Sequence, residues 1–294
     1  MMNDKHAYLI IAHNEFSVLK ILLGMLDYKK NDIYLHVDIK AGDIDKSEFF
    51  KCVKKSTLIF IEPRIDVQWG NFSQIECEYK LLEAATKKKY AYYHLLSGVD
   101  LPLKSQKEIH RFFLRNSGIE FVQFESNELT VEEKHRVSKY HFFAKRNKNI
   151  YEKIMDKFLL IIQKNIDRTK HSCLEYKKGA NWFSITDEFA RYVVTSKKLI
   201  QKYFKYTICG DEMFLQSLAY SSKFREKISN NNYCDNYETI AYIIDWKRGN
   251  PYVFRKDDFE QLITSNQLFA RKFSWNIDKD IILKIENYVS KMEE

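Results

Sequence analysis

The chain of 294 residues is 45% hydrophobic and carries a formal net charge of +8. This hydrophobic content excludes an intrinsically disordered chain, and 8 Gly with 3 Pro leave little room for a flexible interdomain linker. We therefore expect one domain over residues 1–294, with an excess of basic residues that suits an anionic partner: a nucleotide phosphate, a nucleic acid or an acidic membrane face.

The region up to residue 104 alternates between strand and helix patterns. A continuous apolar run at 7–12 predicts a strand buried on both faces, and further strands are predicted at 33–38, 57–61 and 92–96. Apolar residues at helical spacing occupy 16–26 and 75–85. This alternation predicts an α/β fold with a mainly parallel central sheet flanked by helices.

The pattern is less regular in the rest of the chain. Strands are predicted at 119–124, 182–185 and 240–244, and we expect the last of these to be the final core strand. Helices are predicted at 151–166, 211–220, 257–264 and 279–292, the first of them amphipathic with a basic face. The polar run at 229–232 predicts a surface loop.

The cysteines and the N-terminal region bear on location. Five widely spaced cysteines are present, with no CxxC pair: Cys52, Cys77, Cys173, Cys209 and Cys234. This spacing disfavours a disulfide framework or a structural zinc site and favours a reducing compartment. The apolar run at 7–12 is too short for a signal-peptide core or a membrane span. We expect a cytoplasmic protein and leave open peripheral contact with the inner membrane through basic faces.

Polar side chains follow three of the predicted strands. His13 and Asn14 follow the first, Asp38 follows the second, and Ser97 to Asp100 follow the fourth. Open parallel sheets bind ligands at the carboxyl ends of their strands, so this pattern predicts a nucleotide site. No GxGxxG or GxxxxGK[ST] motif occurs, and neither a dinucleotide fold nor a P-loop is supported.

Seven motifs occur along the chain in the order found in one enzyme family. They are AHN at 12–14, LHVD at 35–38, QWGNFS at 68–73, LSGVDLPL at 96–103, KGANWF at 178–183, GDE at 210–212 and LFARKF at 268–273. Over about residues 6–275 the chain resembles the core-2/I-branching β-1,6-N-acetylglucosaminyltransferase and peptide O-xylosyltransferase family, in its small bacterial form. The resemblance implies a GT-A type fold with a Rossmann-like N-terminal half, a UDP-sugar donor, inversion at the anomeric carbon and no metal requirement. It implies a nucleotide-binding half at about 6–125 and an acceptor and catalytic half at about 126–294.

The absence of a metal motif at the fourth strand agrees with that resemblance. Metal-dependent GT-A enzymes hold a divalent cation with Asp-x-Asp after a central strand, because hard cations prefer carboxylate oxygens. Here that strand is followed by Asp100 alone, which either bonds the backbone before Pro102 or contacts the donor. Two other Asp-x-Asp strings, at 43–45 and 278–280, are interpreted as helix starts.

The resemblance assigns the general base to Glu212. A positioned carboxylate that takes the proton of a sugar hydroxyl contributes about 10²–10⁴-fold to the rate. One such base without a carboxylate nucleophile is what single displacement requires. The structural alternative is that Asp211 and Glu212 complement the N-terminus of the predicted helix.

Cations near the C-terminus would stabilise the departing diphosphate. Six of them are interleaved with aromatic residues: Lys247, Arg248, Arg255, Lys256, Arg271 and Lys272. Fixed cations can replace a metal ion in this role. Lys272 matches the lysine of the family's motif directly, and Arg248 is assigned as the partner arginine. Arg255 is the second choice, Arg271 could contribute, and Lys256 is interpreted as a solvated surface charge.

The remaining site assignments follow from motif position. The nucleotide-binding set implied by the resemblance comprises His13, Asn14, Asp38, Lys40, Trp69, Ser73 and Asp100. The acceptor-binding set comprises Trp182, Asn181 and Asp211, with His135, Arg136, Lys139 and Tyr140 at positions where family members contact acceptor. For Trp69 and Trp182, packing in the core is the alternative.

These assignments predict a metal-independent inverting glycosyltransferase without a cofactor. N-acetylglucosamine or xylose would pass from a UDP-sugar to a glycan or lipid-linked glycan with β linkage. Two alternatives stay open. A basic nucleic-acid-binding protein would use the charge and aromatic content, although no recognition motif is visible and we expect no nucleic-acid partner. An inactive UDP-sugar-binding protein would keep the fold without catalysis.

Overall fold

The computed structural model describes residues 4–145, 148–229 and 237–293. Cys234 and positions 230–232 of the predicted polar loop lie outside the described residues. A six-stranded sheet contains β1 (His6–Ala12), β2 (Asn31–Val37), β3 (Thr57–Phe60), β4 (Tyr92–Ser97), β6 (Phe121–Val122) and β7 (Phe183–Thr186). Its order is β3-β2-β1-β4-β7-β6. Strands β1 to β4 are parallel, and β7 runs antiparallel to both of its neighbours.

A second, three-stranded sheet contains β5 (Asp100–Pro102), β8 (Tyr242–Ile244) and β9 (Phe269–Arg271), in the order β5-β9-β8. The expectation that 240–244 forms the final core strand is therefore wrong. Strand β9 follows β8 in the chain and is the central strand of the small sheet, between β5 and β8. Strand β9 is antiparallel to β5, with Asp100 opposite Arg271. Three-residue strands are too short to show a period in the sequence.

Helices cover both faces of the large sheet. In chain order they are α1 (Phe16–Met25), α2 (Lys46–Phe50), α3 (Ser73–Ala85), α4 (Gln106–Arg115), α5 (Val131–Ser138), α6 (Ile150–Ile162), α7 (Asp187–Thr195), α8 (Lys197–Phe204), α9 (Phe214–Tyr220), α10 (Phe259–Thr264) and α11 (Lys279–Glu293). Helices α1, α4 and α11 share one apolar cluster, and α3, α7, α8 and α9 share the other. Alternate side chains of β1 enter the two clusters, Tyr8 and Ile10 on one side and Ala7 and Leu9 on the other. This arrangement confirms the expected α/β class with a mainly parallel sheet.

Both Asp-x-Asp strings lie at helix starts, as interpreted from the sequence. The Asp45 carboxylate accepts the Ser47 backbone N–H at 2.9 Å before α2. The Asp278 carboxylate accepts the backbone N–H groups of Asp280 and Ile281 at 3.0 and 3.2 Å at the start of α11. These carboxylates satisfy helix N–H groups that would otherwise lack partners.

Two of the expected helices differ from their predictions. The single helix expected at 211–220 is a 3-10 turn over Gly210–Glu212 followed by α9, so Glu212 lies in the turn before the helix. The helix expected at 151–166 ends at Ile162, and its exposed surface includes an apolar row as well as lysines. None of the helices in the described ranges is long and apolar enough to span a bilayer.

Candidate active site

A cleft of about 1120 Å³ opens where β1, β2 and β4 end. His13 follows β1, Asp38 follows β2 and Ser97 ends β4, and all three line the cleft. The second half of the chain contributes Glu212 and Arg271 to the same cleft. The strand ends thus meet at one edge, as the sequence pattern predicts, and residues from distant motifs close the site.

Glu212 is restrained at two points. Its backbone carbonyl accepts the Gly179 N–H at 2.9 Å, and its carboxylate Oε2 lies 3.3 Å from Nη1 of Arg136. The side chain remains 36% exposed. Burial raises the pKa of Glu212, whereas the positive charges of Lys178 and Arg136 act in the opposite direction. A fixed carboxylate that reaches the cleft with a raised pKa has the properties of a general base.

Gly179 permits the close approach that holds this turn. A Cβ at this position would lie 1.8 Å from the backbone carbonyl oxygen of Gln123, which no side chain can tolerate. The neighbouring Lys178 forms ion pairs with Glu125 and, at 3.2 Å, with Glu133. The KGANWF motif thereby ties the turn at Glu212 to the strand side of the cleft.

The floor of the cleft contains a buried carboxyl that the sequence analysis missed. Glu78 of α3 is buried, and neither of its carboxyl oxygens forms a hydrogen bond to any described residue. Burial and the neighbouring Asp211 charge raise the pKa of Glu78 well above its usual range, although the amide of Asn181 acts in the opposite direction. The available signal was its spacing, because Glu78 lies at helical distance from Ile75 and Leu82 on the buried face of α3.

Asp211 adjoins this buried carboxyl. Gln74 donates from Nε2 to Asp211 Oδ2 at 2.8 Å, whereas Oδ1 and the side-chain oxygen of Asn181 have no hydrogen-bond partner among the described residues. Burial and the charge of Glu212 raise the pKa of Asp211 to about 7. Both oxygens are buried, so a ligand hydroxyl or amide group would reach them only after neighbouring side chains move.

Of the six C-terminal cations, all of them within the described residues, Arg271 is the one that lines the cleft. Its Nη1 lies 2.8 Å from the carboxylate of Asp100, and its guanidinium carbon lies 4.5 Å from the ring centre of Trp182. Asp100 is fully buried and also accepts the Ser97 backbone N–H at 2.8 Å. Within the described ranges, Asp100 is not part of the cleft lining, and it orients Arg271 through this ion pair. Lys272 follows Arg271, and partial burial together with the Arg271 charge lowers its pKa.

Arg248, assigned first from the sequence, is engaged elsewhere. It forms ion pairs with Asp245 and, at 2.7 Å, with Asp258, and its guanidinium stacks 4.0 Å from the ring centre of Tyr252. Among the described residues, Arg248, Arg255 and Lys272 are not part of the cleft lining. The structure therefore brings Arg271 into the cleft and leaves Arg248 held outside it.

Several of the residues predicted to bind the nucleotide lie together in the cleft. Asp38 accepts the backbone N–H groups of Lys40 and Val67 at 2.8 and 3.1 Å, and Lys40 Nζ lies 3.0 Å from Asp66. Burial lowers the pKa of His13. His13, Asp38 and Lys40 line the cleft.

Of three other residues predicted to bind the nucleotide, one lines the cleft and two do not. Trp69 lines the cleft and is exposed. Among the described residues, Asn14 and Ser73 lie outside the lining. Ser73 accepts the Gln68 N–H at 2.9 Å, which shapes the loop that carries Trp69.

Over 4–145, 148–229 and 237–293, no group of three or more His, Cys, Asp or Glu side chains is placed to hold a metal ion.

Comparisons with known proteins give one family match. The family model described as Core-2/I-Branching enzyme matches residues 6–268. No curated protein matches the chain. Among solved structures, the crystal structure of mouse xyloside xylosyltransferase 1 in its apo form matches at 11% sequence identity and a TM-score of 0.41, covering 90% of this chain and 96% of that chain.

Proposed function

The chain belongs to the core-2/I-branching enzyme family, and from this premise we propose that it is a metal-independent inverting enzyme with a UDP-sugar donor. Membership makes it a glycosyltransferase that uses a nucleotide-sugar donor and a glycan acceptor, and it agrees with the GT-A type fold expected from the sequence. N-acetylglucosamine or xylose is the proposed sugar, and the product linkage is β.

The observation that carries the proposal is the position of Glu212 in the cleft, held by Arg136 and Gly179. The carboxylate takes the proton of the acceptor hydroxyl while the hydroxyl oxygen attacks the anomeric carbon. The bond to the diphosphate breaks in the same step, UDP leaves with the bonding electrons, and the configuration inverts. Proton removal in the transition state supplies about 10²–10⁴-fold.

Fixed cations are proposed to stabilise the leaving diphosphate. Arg271 is the first choice because it lines the cleft and is oriented by Asp100 and Trp182. Lys272, the residue matched by the motif, is the proposed second cation. Lys272, Arg248 and Arg255 all lie outside the cleft lining, so each would have to move to take part. Preorganised charges of this kind act where negative charge develops during the reaction.

The acceptor is proposed to bind beside the base, on Trp182, Asn181 and Asp211, all of which line the cleft. The Trp182 ring contacts the Arg271 guanidinium and packs near the Tyr242 ring, so its proposed contact with a sugar is through its remaining edge. The unpartnered oxygens of Asn181 and Asp211 are buried, and they are proposed to accept hydrogen bonds from sugar hydroxyls once neighbouring side chains move to expose them. A glycan or lipid-linked glycan is the proposed acceptor class. The enzyme would then work in the cytoplasm, in peripheral contact with the inner membrane face.

Thermal denaturation with UDP-sugars and EDTA tests donor class and metal use together. We expect an upward shift that follows RT ln(1 + [L]/Kd) and is unchanged by the chelator. A shift that EDTA removes would contradict metal-independent binding.

Substitution of the base tests catalysis. Glu212→Gln is expected to retain UDP binding and to lose about 10²–10⁴-fold in turnover. Glu226→Gln, at an exposed carboxylate in a different surface segment, is the matched control and should keep full activity. If Glu212→Gln keeps turnover within about threefold, Glu212 is not the base.

A further inference from the structure

Helix α6 exposes its apolar side. Six of its side chains are between 56% and 80% exposed: Ile150, Tyr151, Ile154, Phe158, Ile161 and Ile162. They recur at three- and four-residue spacing and so form one stripe, here called the α6 apolar face. No residue of this fully described helix is buried. A helix that packs on a protein core normally turns such a stripe inward.

The polar side of α6 faces the protein instead. Glu152 pairs with Lys145 at 2.6 Å, and Asp156 pairs with Lys148 at 2.6 Å. Both carboxylates are less than a fifth exposed. Both lysines belong to the segment that directly precedes α6, so these ion pairs turn the carboxylates of the helix toward that segment and away from solvent.

The charges that α6 does expose are positive. Lys153 and Lys157 are exposed, and Lys164 is exposed just after the helix ends. An apolar stripe flanked by lysines, with the carboxylates turned away, complements a surface of acyl chains beneath anionic headgroups. A second copy of this chain fits less well, because a symmetric contact through this face would bring the lysines of both copies together.

We propose that α6 is a membrane-docking helix, which lies in the plane of an anionic bilayer with the α6 apolar face in the headgroup boundary and its lysines on lipid phosphates. The proposed function gives this docking its use, which is access to a lipid-linked acceptor, and only that use rests on the proposed function. The binding itself depends on the exposed face and its charges.

The position of α6 relative to the cleft gives this docking a use. Lys145 lines the cleft and also binds Glu152 of α6, so one ion pair separates the membrane-facing helix from the active site. A sugar attached to a carrier in the bilayer would meet the cleft at its rim. Docking would also reduce the search for acceptor from three dimensions to two.

The test is flotation of the full-length protein with vesicles of phosphatidylcholine alone or mixed with phosphatidylglycerol. We expect flotation with the mixed vesicles and much less with the neutral ones. Phe158→Ser with Ile154→Ser should weaken binding by roughly tenfold or more, and Ile161→Ser serves as a milder second variant. Lys153→Gln and Lys157→Gln should each weaken it about fivefold. Leu114→Ser, at an apolar residue that is 72% exposed on α4, is the matched control and should change nothing.

Several results would overturn the proposal. The first is that the wild type does not float with the mixed vesicles. The second is that Leu114→Ser reduces flotation as much as the α6 variants do. The third is a dimer in light scattering that the α6 variants convert to monomer. Thermal stabilisation by UDP is measured on every variant. If UDP stabilises the protein but the wild type does not float, only the docking proposal is wrong. If UDP does not stabilise the wild type, the proposed donor is contradicted.

Discussion

Replacing Arg271 with glutamine separates its structural role from its proposed role on the diphosphate. Arg271 Nη1 lies 2.8 Å from the fully buried Asp100 carboxylate. Removing one partner of a buried ion pair costs about 3–5 kcal/mol, because the remaining charge is left uncompensated. Asp100 keeps hydrogen bonds from Ser97 and Tyr242, so we expect the lower end, roughly 3 kcal/mol. At about 2 °C per kcal/mol for a chain of this size, Arg271→Gln should lower Tm by roughly 6 °C.

The double variant Arg271→Gln with Asp100→Asn distinguishes the two roles. Asparagine removes the buried charge while keeping the shape, so most of the lost Tm should return in thermal denaturation. UDP affinity and turnover should stay low if Arg271 contacts the diphosphate. Arg248→Gln is the comparison, since Arg248 lies outside the cleft, and it should weaken UDP binding less. A double variant with normal turnover, or a single variant with unchanged Tm, would refute the reasoning.

Three further predictions concern the turn and the carboxyls beside it. Gly179→Ala should abolish UDP-sugar turnover and lower Tm, because its Cβ would meet the Gln123 carbonyl at 1.8 Å. Gly24→Ala, whose Cβ would meet open space in a helix, serves as a control for loss of glycine, and a fully active Gly179→Ala enzyme would contradict this contact. The pKa of Asp211 rises from 3.8 to about 7 on folding, so the folded state binds more protons between these values and stability falls as pH rises through them. Asp211→Asn should therefore raise Tm at about pH 8 and change it little near pH 4, and an equal gain at both would show that the charge is not responsible. Burial also raises the pKa of Glu212, so the acid limb of kcat/KM should lie above the ordinary glutamate pKa of about 4.3, and a limb at or below that value would exclude Glu212 as the titrating base.

The parallel centre of the large sheet could be predicted from the sequence because β1, β2 and β4 are six or seven residues long and mostly apolar. The polar residues at its strand ends were predicted for the same reason, since strand ends define the cleft. The small sheet could not be predicted, because β5, β8 and β9 are three residues each and pair across distant parts of the chain. That pairing is what brings Arg271 to Asp100, and sequence spacing gave no reason to prefer Arg271 over Arg248.

Buried charge was the second limit on the sequence analysis. Glu78 was not singled out from the sequence, although it lies among the buried apolar residues of α3, because its burial depends on how α3 packs on the sheet. The exposure of the α6 apolar face could not be predicted either. Apolar periodicity shows that a helix has an apolar stripe, but it does not show whether that stripe faces the core or solvent. In α6 the ion pairs of Glu152 and Asp156 with the preceding segment leave the stripe facing solvent.

The interleaved order of the large sheet has a consequence for synthesis on the ribosome. Strand β4 emerges with the N-terminal half, but its outer neighbour β7 is made much later. Until then β4 presents a row of unsatisfied N–H and C=O groups, which is a template for pairing with other nascent chains. A fragment ended before residue 183 would keep that edge permanently, so residues 1–182 expressed alone should aggregate or require a chaperone.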